Sequence, residues 1–335
     1  MVISTYGRGL FILNDITRLE QSDQVPTDAD AFLFAPRPAF RQARSGTVDL
    51  LYSLKTEARA PVKLEILDAG GAAIRSIEGP TRAGLNHAVW DLRYEAPRTV
   101  ALRTTAPDNP HIWEEPRFKG KDTRPVVHWG IEQAIAAAPI AAPGRYTARL
   151  TVNGRTLTRP IEVLKDPALP STDEDLTMST RTQLRIRDDL NATADMVNRI
   201  EELRKQIEDQ SGRTKGKAAA TKALTDLDTR LLAVEMRLLS RTDLHSDDKW
   251  YVEAYKVYMN LIWLNGVVGN GAGDVAGGAE YHPTDAALAV LDSIETDLAA
   301  AKTEFNAVME KDVPAFNRSS GAIGMTPLVA GSGTR

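Results

Sequence analysis

Apolar and polar side chains alternate over residues 62–67, with Val62, Leu64 and Ile66 set against Lys63, Glu65 and Leu67. A period of two is that of a half-buried strand. The same pattern places Tyr146, Ala148, Leu150 and Val152 on one face. Further strand-like runs cover 48–54, 73–77, 87–92 and 156–164, separated by turn residues at 68–71 and 84–86. Asn153-Gly154 is a hairpin signal, because a type I′ turn needs two residues with positive φ. Strands at this spacing, with no helices between them, predict a small antiparallel sandwich over 45–168. A long irregular excursion, 95–142, interrupts it. Loops of that length inside a compact domain are usually functional or contact a neighbour.

Beyond residue 169 the period changes. Ile186, Leu190, Val197, Ile200, Leu203 and Ile207 follow three- and four-residue spacing, as do Leu224, Leu227, Leu231, Val234 and Leu238. Trp250, Ala254, Val257, Leu261 and Leu264 predict a third helix; Leu291, Ile294, Leu298, Phe305 and Val308 predict a fourth. Ser171 with Glu174 fits a capping box, and Thr284 fits an N-cap. Four amphipathic helices in 169–316 predict an antiparallel four-helix bundle. The Gly266–Gly278 stretch reads as a flexible link between helices, and the Ser/Gly-rich 317–335 as a disordered tail.

At the other end, 2–5 and 10–13 are short apolar runs around Gly7-Arg8-Gly9. They predict a hairpin, and a lone hairpin is marginal in water, so 1–44 is expected to pack on something larger. Residues 32–41, with Pro36 and Pro38, read as an extended connector.

Composition narrows the function. Of 335 residues, 42% are hydrophobic and 26% charged, and the net charge is −4, which argues against a nucleic-acid or anionic-membrane binder. No cysteine is present, so disulfides, thiolate catalysis and Cys-ligated zinc are excluded. No run approaches a membrane span, and the first residues lack the basic start and apolar stretch of a signal peptide.

Candidate chemistry is sparse. Arg8 could meet an anionic ligand, or serve as a turn residue paired with Asp15. His111, Glu114 and His128 could contribute to a divalent-metal site, but their spacing matches no metal-site pattern. Glu114 and Glu115 are neighbours, which would point them to opposite faces of a strand and not across one glycosidic bond. The glycine-rich 266–278 lacks the lysine of a phosphate-binding loop. Trp90-Asp91 reads as a core aromatic beside a turn-facing carboxylate. Low-specificity ligand candidates are therefore Arg8, His111, Glu114 and His128, with no catalytic set, no cofactor site and no metal site expected.

Three stretches carry a resemblance. STYGRGLFILNDITRLEQ at 4–21, followed by FLFAPRPAFR at 32–41, resembles the last strands and exit of bacterial sortilin-like, sialidase-type (BNR) repeat β-propeller proteins, often labelled glycosyl hydrolases. VKLEILDAGGAAIRSI at 62–77, GLNHAVWDLRYEAP at 84–97 and PGRYTARLTVNG at 143–154 look like the Ig-like module that follows, a pattern also seen in flagellar hook-capping proteins. RIRDDLNA at 185–192, PTDAALAVLDSIETDLAA at 283–300 and DVPAFN at 312–317 look like the terminal helical region. The resemblance implies a multidomain β plus α protein: a residual propeller hairpin, an Ig-like antiparallel β-sandwich and an antiparallel four-helix bundle. It further implies a non-catalytic interaction or scaffold region of a larger, periplasmic or extracellular protein, whose partner is the missing propeller or another protein. The alternative is an accessory part of a glycoside hydrolase. The propeller's S-x-D-x-G-x-T-W repeat is absent here, so no hydrolase residue carries over.

Overall fold

The computed structural model describes residues 2–331, apart from 8, 13–15, 27, 43–44, 128–131, 136, 215, 247–252 and 273–274. The chain is mixed β plus α and divides into two compact units. The first comprises Met1–Glu95, Ala138–Thr180 and Ala279–His282; the second comprises Ala96–Ala137, Arg181–Gly278 and Pro283–Arg335.

In the first unit, β1 (Val2–Thr5) and β2 (Gly9–Ile12) form an antiparallel hairpin. A short helix, α1 (Thr17–Glu20), follows, and then β3 (Ala31–Leu33), β4 (Ala39–Arg41), β5 (Val48–Leu54), β6 (Val62–Leu67), β7 (Ala73–Gly79) and β8 (Gly84–Trp90). The excursion carries α2 (Glu132–Ile135), which belongs to the second unit, and after it come β9 (Gly144–Val152) and β10 (Arg155–Lys165). Two sheets result, in the orders β4-β10-β9-β6-β7 and β3-β5-β8. All these pairings are antiparallel except β4 with β10, which runs parallel over Val163–Lys165. Pro160 lies in β10 opposite Thr147. Its missing donor is tolerated because β4 pairs only with residues beyond it.

One apolar core joins both sheets. Leu50, Tyr52 and Trp90 of the three-stranded sheet and Leu64, Ile66, Ala148, Leu150 and Ile161 of the five-stranded one belong to it. The two-residue period thus buries the expected face, and each large side chain there contributes about 1.5–3 kcal/mol. Trp90 is a core residue: its Nε1 donates to the Arg93 carbonyl at 2.8 Å, and its ring meets Tyr146 edge-on at 5.3 Å. On the opposite face, Glu65 pairs across the strands with Arg149. Asn153 and Gly154 have φ of +46° and +80°, as the hairpin turn requires.

Arg41 is a charged residue inside this unit. It is fully buried, and Nη1 donates to the Leu176 carbonyl at 3.0 Å and Nη2 to Ala279 at 2.8 Å. Ser179 Oγ donates to the same Ala279 carbonyl. Burial lowers the guanidinium pKa to about 10, with Glu280 and Tyr146 opposing the shift, so it remains charged near neutrality.

The long helix α3 (Asp173–Ser211) starts in the first unit and continues in the second. Its capping box sits one residue later than the Ser171/Glu174 pattern suggests. Thr172 N donates to Asp175 Oδ2 at 2.8 Å, and Asp175 N to Thr172 Oγ1 at 3.1 Å. Ser171 instead donates to the Glu280 carbonyl.

The second unit continues with α4 (Ala218–Leu238), α5 (Arg241–Leu244), α6 (Val257–Val268), the two-residue strands β11 (Gly271–Ala272) and β12 (Val275–Ala276), α7 (Asp285–Ala307) and α8 (Val313–Ser320). A π-helical turn, Val308–Asp312, joins the last two. Apolar positions of all four stripes enter one core, from Ile186 to Val308, while Ala254 of the third is exposed. Thr284 caps α7, accepting from Ala287 N.

Four expectations change. Residues 96–137 group with the helices and not with the β unit. In the glycine-rich 266–278, α6 runs through Gly266 to Val268, and a Cβ on Gly277 would lie 2.2 Å from the Asn270 carbonyl carbon. The third helix starts at Val257, while Trp250 lies outside the described residues. The tail is not loose from residue 317. Met325 and Leu328 are buried, and the 326–331 backbone is held by side chains of α3 and α8.

Replacing Arg41 with Met removes two buried hydrogen bonds from a charged donor, each contributing about 1.5–3 kcal/mol, while the Leu176 carbonyl keeps Thr180 Oγ1 and the Ala279 carbonyl keeps Ser179 Oγ. Urea unfolding is expected to show a loss of about 2–4 kcal/mol. A loss below about 1 kcal/mol would show that Arg41 is dispensable there.

Candidate functional site

The excursion is not a free loop. Residues 98–105 run extended, with few backbone partners of their own beyond the Leu102–Arg124 bridge. Buried N–H groups must nevertheless be satisfied. A polar stripe on α3 does this. Asn191 Oδ1 accepts from Arg98 N at 2.7 Å, and Asn198 Oδ1 from Ala101 N at 2.8 Å. Glu201 Oε2 accepts from Arg103 N and from Thr104 N, the latter at 2.8 Å. Glu208 Oε1 accepts from Thr105 N at 3.2 Å. Asp195 binds the Arg98 guanidinium at 2.6 Å. Residues 191, 195, 198, 201 and 208 lie at helical spacing, so one helix face takes the place of a neighbouring strand.

The stripe is deepest at Glu201, which is fully buried. Its Oε1 also accepts from Thr104 Oγ1 at 2.6 Å. Arg204, one turn on, binds Glu235 Oε2 through Nη1 at 2.6 Å and Asp228 Oδ1 through Nε at 2.9 Å. Arg124 approaches from the excursion, donating to Ser246 Oγ at 2.9 Å and the Thr104 carbonyl at 3.1 Å. Ser246 has a φ of +49° and passes its own hydrogen to the Pro125 carbonyl at 2.6 Å.

Two guanidinium groups therefore meet three carboxyls. Burial holds the Glu235 carboxyl protonated well above its ordinary range, reinforced by Glu201 and opposed by Arg204. The hydrogen bonds agree. Glu235 Oε1 has no donor, and as a protonated O–H it becomes a donor that Glu201 can accept. The cluster is then balanced, with Arg204 and Arg124 against Glu201 and Asp228. Burial works against the Arg204 charge, but Glu235, Asp228 and Glu201 raise its pKa above the ordinary value. Burial lowers Arg124 to about 10, against the pull of Glu201 and Glu235. A perturbed carboxyl beside a cleft marks a functional-site candidate. A cleft of about 250 Å3 does open beside Arg204, lined by Thr104, Thr105, Ile207, Thr225 and Asp228 among others.

The residues singled out from sequence lie elsewhere. His111 Nδ1 and Glu114 Oε1 are 3.1 Å apart on an exposed turn. Glu115 turns away to Asn109 and Arg117. Arg8 and His128 lie outside the described residues. Among the described residues, no group of three or more His, Asp or Glu could hold a metal, and no helix is long and apolar enough to cross a membrane. No family model and no curated protein matches the chain.

The sequence carried a signal for the cluster. Polar positions 191, 195, 198, 201 and 208 repeat at helical spacing beside the apolar stripe. A reading that counts only apolar periodicity assigns them to solvent.

A carboxyl whose pKa is raised by folding binds more protons folded than unfolded, so it costs stability as pH rises. The cost starts above the ordinary carboxylate value near 4.5 and grows until the raised folded value is reached. Glu235→Gln removes this titration. Its stability relative to the parent is expected to improve steadily from pH 5 to pH 8 in urea titrations. A constant difference across that range would contradict a protonated Glu235. Glu201→Ala, which strips the acceptor from two backbone donors, is expected to cost about 3–5 kcal/mol at either pH.

Proposed function

We propose that this chain is a non-catalytic interaction or scaffold region of a larger exported protein of the sortilin-like, BNR-repeat β-propeller type. In this reading β1 and β2 are the final propeller strands. The β unit that follows is an Ig-like sandwich, and the helices form a terminal bundle.

The observation that carries the reading is the hairpin. Val2, Ile3, Leu10, Phe11 and Ile12 are between 47% and 72% exposed. Ile3 and Phe11 are cross-strand partners on one face, and the pairs Val2–Ile12 and Ser4–Leu10 occupy the other. Apolar side chains thus stand exposed on both faces of a two-stranded sheet. Such a sheet is unstable by itself and is built to be covered on both sides and extended at its edges, as a strand pair within a propeller is. The buried carboxyl–guanidinium cluster supports the scaffold role. Glu201 and Arg124 of the cluster hold the backbone of the excursion.

The test is a photo-crosslinking side chain at Phe11 in the protein produced by its native host, with Tyr281 as an exposed control site. Cross-links from Phe11 to strands of a β-propeller, in the same polypeptide or another, are expected, with none from Tyr281. Absence of a cross-link above the control, or attachment to a protein without propeller strands, would contradict the reading.

A further inference from the structure

We infer that the cleft beside Arg204 is a binding site for a small neutral polyhydroxylated molecule of monosaccharide size. The site lies wholly in the second unit and is independent of the propeller reading.

The first argument is the fixed donor. Arg204 is only 6% exposed, yet it lines the cleft. Its guanidinium is clamped on two edges: Nε by Asp228, and Nη1 by Glu235 with Glu201. Nη2 has no hydrogen bond among the described residues. A buried guanidinium held in this way presents its remaining N–H groups in one direction, with little rotamer entropy left to lose on binding.

The second argument is the pairing of that donor with acceptors and hydroxyls. Asp228 uses Oδ1 for Arg204, which leaves Oδ2. The Thr225 hydroxyl has no hydrogen bond among the described residues. Ser211 donates to the Ile207 carbonyl and keeps its lone pairs. Ile207 supplies an apolar strip. The lining thus offers donors, acceptors and a small apolar surface within about two turns of α3 and one of α4.

The third argument is charge. Arg204 and Asp228 cancel, and Glu208 is neutralised by Lys205 at 2.9 Å. A ligand carboxylate would face Asp228 and Glu208 of the lining. A ligand ammonium would face Arg204. A neutral ligand escapes both penalties. A vicinal diol can accept from Nη2 through one oxygen and donate to Asp228 through the next. At about 250 Å3 the cleft is smaller than the roughly 300–1,000 Å3 of pockets for drug-sized molecules, which leaves room for one ring.

The experiment is ligand-observed NMR on the full chain with glucose, galactose, mannose and myo-inositol. Glucosamine and glucuronate, of matching size but opposite charges, are the comparators. At least one neutral compound is expected to bind with a Kd below about 10 mM, with both charged comparators at least about tenfold weaker. Thr225 is exposed on α4, so Thr225→Phe fills the cleft without disturbing the core. It is expected to abolish binding with an unchanged melting temperature. Thr225→Ser, which keeps the hydroxyl, is expected to retain it. Binding of no neutral compound would overturn the inference. So would equal binding of either charged comparator, or binding untouched by Thr225→Phe.

Discussion

An extended backbone that leaves a sheet must find new partners for its N–H groups, and this constraint organises the helical unit. Residues 98–105 find theirs on α3, whose Asn191, Asn198, Glu201 and Glu208 accept from Arg98, Ala101, Arg103, Thr104 and Thr105. The C-terminal segment repeats the device. Gln210 exchanges two hydrogen bonds with Thr326, Gln206 two with Val329, and Asn317 of α8 two with Leu328. Glu202 accepts from Gly331. An amide side chain suits this work because it offers donor and acceptor side by side, as a strand does. α3 therefore acts as a spine. Its apolar stripe enters the core, and polar stripes alongside bind two chain segments.

The cost of this arrangement gathers at Glu201. A carboxylate that satisfies two buried N–H groups must itself be buried, and a lone buried charge is expensive. Arg204 and Arg124 supply the countercharge, and Asp228 and Glu235 hold Arg204 through Nε and Nη1. Five ionisable groups are one too many acids for neutrality. A proton on Glu235 resolves the excess and also supplies the donor that its Oε1 otherwise lacks. The cluster is thus explained as a consequence of holding the excursion, and the cleft beside it exists because Arg204 is held from two sides only.

Much of the architecture was legible in the sequence. Strand alternation at Val62–Ile66 and Tyr146–Val152, the Asn153-Gly154 turn, the core position of Trp90 and the Thr284 cap all follow from local rules, because each depends on neighbours within a few residues. What escaped depends on distant partners. The placement of 96–137 turns on carboxamides and carboxylates about a hundred residues away. The order of the tail turns on Gln206 and Gln210. The cap at Thr172 in place of Ser171 turns on Ser171 having another acceptor, the Glu280 carbonyl. Arg41 reads as a surface residue until the Leu176 and Ala279 carbonyls are brought to it. The candidate site was illegible for the same reason: Glu201, Arg204 and Glu235 resemble the solvated face of any amphipathic helix until an excursion is laid over them. His111 and Glu114 attract notice in the sequence because of residue type, yet form only an exposed pair.

The central claim is that Glu201 is the latch for the excursion. Amide hydrogen exchange at Arg103 and Thr104, followed by NMR in the full chain, tests it most directly. In the parent protein both amides should exchange as slowly as those in the middle of α4. In Glu201→Ala, which removes the oxygen that both amides share, both should exchange at least about a hundredfold faster while α4 is unchanged. Fast exchange of both amides in the parent protein, or protection that survives the substitution, would contradict the account.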